Sequence, residues 1–452
     1  MTGEQPAAPT PPGEPPAQPP AGEPPAQPPP GEPPAPPPAA GGQPEQLATI
    51  IVTDDLERSR LTTFFRLILA IPHLIVVGLF TLLAVAIAFI NWFWALFTKR
   101  TVAHDMQSRY LRYATHVFGY LNLAAEPFPG FEGEPGSYPL DPRVPPAAEQ
   151  NRWKVGFRFV LIIPAAIIAG ALGVTASSSY TGYYSFGLIT TAAILAWFAI
   201  LAIGRMPRGL RDLIVYCLDY GLQYWSYLLI VTDRYPDSDP MKRNYGTGPP
   251  PDHPIRISED AELRRSRLTV FFRLLLFLPH YVWLGLWGIA VFFSVIANWF
   301  VTLFAGRPAD ALHRFNGAYV RYLTHVYSYL FLVTNEFPGF VGAPGSYPVD
   351  IQIAPRERQN RWKTGFRLIL VFPAGLVASG VGGLLLLVGV FGWFVGLFLG
   401  RMPLGLRNLG VYALRYHAQV LGYVLLLTDR FPFSGPSLEQ LPPASAPLPE
   451  PA

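Results

Sequence analysis

Four stretches of this chain, residues 64–98, 157–203, 271–305 and 366–400, are strongly apolar and contain no aspartate or glutamate. A bilayer core needs about 20 apolar residues in a helix, and 35 residues make a helix of roughly 52 Å. No soluble core asks for runs of this kind. Only 14% of the residues are charged, against about 25% in ordinary soluble domains. The chain is therefore expected to meet lipid.

Basic residues stand at both ends of every run. Arg58, Arg60 and Arg66 open the first, and Lys99, Arg100 and Arg109 follow it. The second is framed by Arg152, Lys154 and Arg158, then Arg205, Arg208 and Arg211. Arg264, Arg265, Arg267 and Arg273, then Arg307 and Arg314, frame the third; Arg361, Lys363 and Arg367, then Arg401 and Arg407, frame the fourth. An excess of Lys and Arg marks a cytoplasmic flank, so each run is expected to enter the membrane and return. The polar insertion TASSSYTGYYS from Thr175 and the SGVGG from Ser379 suit the tips of such hairpins. These signals predict an all-α polytopic membrane protein: four repeated helical hairpins, with interfacial amphipathic helices and short cytoplasmic strands. It would sit multi-pass in the cell membrane with both termini in the cytoplasm. The competing topology is one kinked span per run, with the amphipathic helix that follows crossing back.

The runs belong to a repeat. RSRLTTFFRLILAIPHL from Arg58 returns as RSRLTVFFRLLLFLPHY from Arg265, and NRWKVGFRFVLIIPA from Asn151 as NRWKTGFRLILVFPA from Asn360. Each unit opens with a short strand-like stretch: ATIIV near Ile50, YPLDPRV from Tyr138, HPIRI from His253 and YPVDIQI from Tyr347. It closes on an amphipathic helix and a proline turn. The expected organisation is a disordered proline-rich tail at 1–45, a repeat pair at 46–236, a linker at 237–252, a second pair at 253–433 and a disordered tail at 434–452. GEPPA recurs at Gly13, Gly22 and Gly31, which reads either as a stiff soluble spacer or as a PxxP-type docking ligand. Residues 1–44 have no lysine, arginine or apolar run, so targeting is expected from the first apolar run.

Ionisable residues at membrane depth are functional candidates. Arg66 and His73, with Arg273 and His280, repeat a seven-residue spacing, each histidine directly after a proline. Two readings stand: a pseudo-symmetric polar site for a lipid phosphate, or histidines bonding backbone groups freed by the proline. Arg66, Arg158, Arg273 and Arg367 form a fourfold series expected to snorkel to headgroups. Arg112, His116, Arg321 and His325 lie on amphipathic helices expected at the interface. Asn91-Trp92 and Asn298-Trp299 are expected to pack between helices. The one cysteine, Cys217, allows no disulfide. There is no GxxxxGK[ST], HExxH or G-x-S-x-G constellation, so no catalytic residue, metal ligand or cofactor is assigned. The basic residues follow the membrane edges and not one patch, which argues against nucleic acid. The expected partners are an anionic bilayer and a protein reached through the proline-rich tail.

FFRLILAIPHL, the QNRWKxGFR opening, the NWF pair, RYxTHVxxYL and the closing DRYP or DRFP together resemble the actinobacterial membrane family catalogued as domain of unknown function 4389. The resemblance covers roughly 50–435 in two tandem copies. The second unit of each half departs from it with Ala165 or Ala374 after the proline. It implies a membrane protein and brings no activity or site residue. The function expected is a membrane scaffold or adaptor at the cytoplasmic face; the alternative is lipid handling or small-molecule transport.

Overall fold

The computed structural model describes residues 47–175, 187–241, 251–259 and 262–437. The proline-rich tail, most of the C-terminal tail, most of the linker and nearly all of the polar insertion fall outside them. The first half contains β1 (Thr49–Val52), α1 (Arg60–Thr98), α2 (His104–Leu121), β2 (Leu140–Arg143), α3 (Arg152–Gly156), α4 (Arg158–Leu161), α5 (Ile163–Leu172), α6 (Leu188–Ile203) and α7 (Arg208–Leu228). The second half contains β3 (Ile255–Glu259), α8 (Arg267–Ala305), α9 (Asp310–Leu330), β4 (Val349–Ile353), α10 (Arg361–Gly365), α11 (Arg367–Leu370), α12 (Phe372–Leu399) and α13 (Leu404–Val424).

The repeated openings are helix caps. Ser59 and Ser266 accept from the backbone N–H of Thr62 and Thr269. Asn151 and Asn360 accept from the next two free N–H groups of their helices. A side-chain oxygen at this position satisfies donors that the helix itself cannot. The apolar helices stop at Lys99, Gly204, Gly306 and Gly400, each in the left-handed conformation.

The first, third and fourth runs do not fold back on themselves, which corrects the hairpin expectation for them. The first and third runs are single 39-residue helices, and Pro72 and Pro279 lie inside them without ending them. In apolar surroundings an unbroken helix satisfies its own backbone groups, and a turn would expose them. The SGVGG sequence is likewise interior to α12. Its glycines serve close packing: a Cβ on Gly380 would stand 2.8 Å from Leu188 Cδ1. The second run is interrupted, since α5 ends at Gly173 and α6 starts after Gly187. Both pieces pack on α7, where Tyr220 meets Ala165 of α5. Among the described residues three helices, α1, α8 and α12, are long and apolar enough to cross a membrane.

The helical pairs join different partners from those expected. Each apolar helix packs against the amphipathic helix that follows it: α1 on α2, α6 on α7, α8 on α9, α12 on α13. The amphipathic helices therefore belong to the core and are not separate helices in the headgroup layer. α7 and α13 are buried on almost every side. Burial along α1 selects Thr63, Arg66, Ala70, His73, Val77, Ala84, Asn91 and Ala95, one stripe at helical spacing. That inward stripe is more polar than the outward face, the reverse of a soluble helix.

The four strands form as anticipated but pair in twos. β1 runs antiparallel to β2 with Ile50 opposite Pro142, and β3 to β4 with Ile257 opposite Ile351. Each half thus has its own ribbon. The ribbons lie on the amphipathic helices: Leu140 fills the space beside Gly119, and Ile255 that beside Gly422. The order is apolar helices, amphipathic helices, ribbon. The halves meet where α12 packs along α5 and α6 and where Asn408 donates to Asp239 at 2.9 Å.

Candidate functional site

The fourfold arginine series points inward. Arg66 is buried, and its Nη1 donates to the carbonyls of Tyr120 (2.8 Å) and Ala125 (2.9 Å), while Nη2 meets Glu126 at 2.6 Å. Arg158 donates to the carbonyls of Tyr227 and Thr232, Arg273 to those of Tyr329 and Thr334, and Arg367 to those of Tyr423 and Thr428. In each case the guanidinium also lies over the ring of the tyrosine, 4.3–4.5 Å from its centre. Those tyrosines are in the last turns of α2, α7, α9 and α13, where carbonyls have no helical partner and the helix dipole is negative. The cation supplies both donors and charge, and the ring adds a cation–π contact. The next residue but two, Leu123, Ile230, Leu332 or Leu426, takes a positive φ of 60–66°. A branched side chain there costs on the order of 1 kcal/mol, and the clamp fixes the chain in that turn. These arginines do not snorkel: they lock the end of each amphipathic helix to the start of its apolar helix.

His73 and His280 do not bond backbone freed by the preceding proline. His73 Nδ1 meets the hydroxyl of Tyr113 at 2.8 Å, and His280 that of Tyr322 at 2.7 Å. Each imidazole is fully buried and stacks on a phenylalanine from the closing proline turn, Phe131 at 4.3 Å or Phe340 at 4.5 Å. The second and fourth units keep the tyrosine without the histidine. There Tyr220 and Tyr416 donate to the carbonyls of Ala165 and Ala374, at 3.5 and 3.2 Å. The tyrosine is the constant partner, and sequence reasoning missed it. Arg66 and His73 thus lie on one inward stripe, but each is engaged by a different part of α2 and its turn.

Asn91 and Trp92 act at the far end of α1. Asn91 accepts from Val102 N–H at 2.7 Å and donates to Gln107, and Trp92 donates to the Val155 carbonyl of the next unit. Asn298 and Trp299 repeat this with Ala309 and Thr364. The expected packing role extends to hydrogen bonds that tie neighbouring units.

The expected interfacial residues lie under the ribbons. His116 and His325 are buried beneath Tyr138 and Tyr347. His325 Nε2 reaches Asp350 at 2.9 Å, and Arg321 Nε lies 3.3 Å from the same carboxylate. Arg112 donates to the Gly133 carbonyl at 3.0 Å. Asp350 also accepts from the N–H groups of Gly345 and Ile351. Its place in YPVD, one residue into the strand, gave no sign of this. Another residue whose role was missed is Asp219, which accepts from Ile50 N–H at 2.8 Å and fastens the ribbon to α7.

Burial holds His116 down at about 4, although Asp141 opposes the shift. In the unfolded chain a histidine titrates near 6.5. As pH falls below that value the unfolded chain takes up the proton first, so stability present above pH 6.5 is lost between about 6.5 and 4. The full effect is on the order of 3 kcal/mol. His253, similarly held down to about 4 by burial, acts in the same direction. Thermal midpoints in detergent should fall through this window, and His116→Gln should flatten part of the decline.

A cleft of about 540 Å³ lies between α1, α2, α7 and the α5–α6 break, lined by Val77, Thr81, Tyr110, Ala114, Leu218 and Trp225 among others. Among the described residues no group of three His, Cys, Asp or Glu side chains is placed to hold a metal.

The family model described as Domain of unknown function (DUF4389) matches residues 60–132, 267–342 and 361–434. The chain is a tandem member of the DUF4389 family. The three DUF4389 matches begin at an apolar helix or its collar, and each includes one clamp arginine and its tyrosine. The second unit carries no match, yet Arg158 and Tyr227 reproduce the same clamp. No curated protein and no solved structure matches the chain.

Proposed function

We propose that this protein is a non-catalytic scaffold at the cytoplasmic face of the cell membrane, with both termini on that side. The observation that supports the reading is its two-sidedness. One face exposes the apolar helices, with Phe64, Leu67, Ile68, Leu79 and Leu82 among the bare side chains of α1. The opposite face carries the ribbons and proline-rich turns, with exposed Glu132, Glu134 and Arg143. The first face suits lipid; the second offers polar surface to a protein. The buried candidates Arg66, His73, Arg273 and His280 are bonded within the fold, which favours a structural part for them over headgroup capture. The residues before Glu45 are the proposed tether for the partner.

The cleft beside Trp225 favours a second reading, in which the protein holds a lipid chain. The two readings part in one experiment. The full chain and a form lacking residues 1–45 are purified in native membrane patches, and everything retained is identified by mass spectrometry. The scaffold reading expects a stoichiometric protein, lost with residues 1–45. One enriched lipid and no protein partner, unchanged by the truncation, would support lipid handling and sink the scaffold.

A further inference from the structure

Chain that does not belong in hydrocarbon joins the two ends of each long helix. Glu126 is bound at one end of α1 by Arg66, and the Gln150 N–H donates to the Lys99 carbonyl at the other end. The 66–99 stretch of α1 is roughly 50 Å long, and residues 126–150 cover that distance. Close to the first of these ends, the Phe131 ring lies on His73, and the Gly133 carbonyl is bonded by Arg112 of α2. The segment includes Pro127, Pro129, Pro135 and Pro139, has no helix, and exposes Glu132 and Glu134. The second half repeats the course. It runs from Thr334, bound by Arg273, to Gln359, whose N–H donates to the Gly306 carbonyl beyond α8. If α1 crossed the bilayer, this segment, irregular outside β2, would have to cross between the same two ends with its exposed Glu132 and Glu134. Irregular backbone is tolerated at membrane depth only where protein or water covers it.

The extent of apolar exposure gives the same answer independently. On α1 it runs from Leu61, 71% exposed, to Phe97, 76% exposed. That is about 54 Å of helix against a core of about 30 Å. Fitting it across would need a tilt of about 56°, beyond the range of about 0–40° for spanning helices. A helix lying in the plane has no such limit. The exposed cations fit that placement too. Arg60 stands at one end of α1, and Lys99, Arg100 and Arg152 at the other. Arg361 and Lys363 repeat the pattern beyond α8. All would meet anionic headgroups at the rim of a sunken apolar layer.

We infer that α1 and α8 lie along one leaflet of an anionic bilayer, their outer faces in hydrocarbon and the ribbons in water, so that the chain enters from one side without crossing. Basic residues at both ends of each apolar run then follow with no turn inside the run. The multi-pass expectation gives way to a monotopic one. The inference rests on the reading of the exposed face as lipid-facing and is independent of any protein partner. A failed partner capture would leave the following test unchanged.

The test is a depth profile along α1. The full chain carries Cys217→Ala and one added cysteine, Leu67→Cys, Leu79→Cys or Ile90→Cys, at positions 72%, 65% and 55% exposed. Each is labelled with bimane and placed in phosphatidylglycerol–phosphatidylcholine vesicles brominated at shallow or deep acyl positions. The in-plane seating predicts the same shallow-to-deep quenching ratio at all three sites, within about twofold. A deep Leu79 site between shallow Leu67 and Ile90 sites would overturn it in favour of crossing. Absence of quenching at every site, with crosslinks between copies, would overturn it by showing that a second copy covers the face.

Discussion

Replacing Arg367 with methionine should lower the thermal midpoint of the protein in detergent by on the order of 5 °C. The side chain donates to the carbonyls of Tyr423 and Thr428 and to Gln359 Oε1, all within the fold. Each buried acceptor left without a donor costs about 1–3 kcal/mol. Removing a desolvated cation returns part of that. The Tyr423 carbonyl keeps the Leu426 N–H, so two orphaned acceptors against one cation leave a net loss of about 2 kcal/mol, which a large chain reads as a few degrees. Arg367→Lys keeps the charge but loses the two-pronged reach, and should fall between. Arg100→Met, at an exposed position, is the control and should change little. A snorkelling arginine would behave like that control. An unchanged midpoint for Arg367→Met would therefore contradict the clamp. Arg66→Met in the other half shares no partner with Arg367, so the two losses should add.

What the sequence made legible is local. Ser59, Asn151, Ser266 and Asn360 announce helix starts, because a cap is read from neighbouring residues. The four strand stretches are legible for the same reason, since alternation and bounding prolines lie within a few positions. Their pairing is not: Ile50 meets Pro142 across 92 positions of sequence. The arginine series is visible as a repeat, but its direction is hidden. Arg66 finds Tyr120 and Ala125 more than fifty residues later, and a basic residue beside an apolar run looks the same whether it snorkels or turns inward. His73 misleads in a similar way, since the adjacent proline is conspicuous and Tyr113 is distant. Gly380 carries two meanings, a turn or a close approach, and only the presence of Leu188 decides between them. The charges at both ends of α1 constrain which side of the membrane the ends occupy, but not whether the helix between them turns or lies flat.

The seating on one side makes a prediction of all-or-none size. Asp55 precedes α1, Asp105 follows it in α2, and Glu134 lies on the accompanying segment; all three are exposed. A helix of about 58 Å that crosses the bilayer must place Asp55 and Asp105 on opposite sides, with Glu134 at membrane depth. A helix lying in the leaflet places all three in the same water. Single cysteines at these positions, in the Cys217→Ala background, are exposed to a membrane-impermeant maleimide in intact cells and in inverted membrane vesicles. One-sided seating predicts that Asp55→Cys, Asp105→Cys and Glu134→Cys all react in inverted vesicles and none in intact cells. Labelling of Asp55→Cys and Asp105→Cys from opposite sides would contradict it.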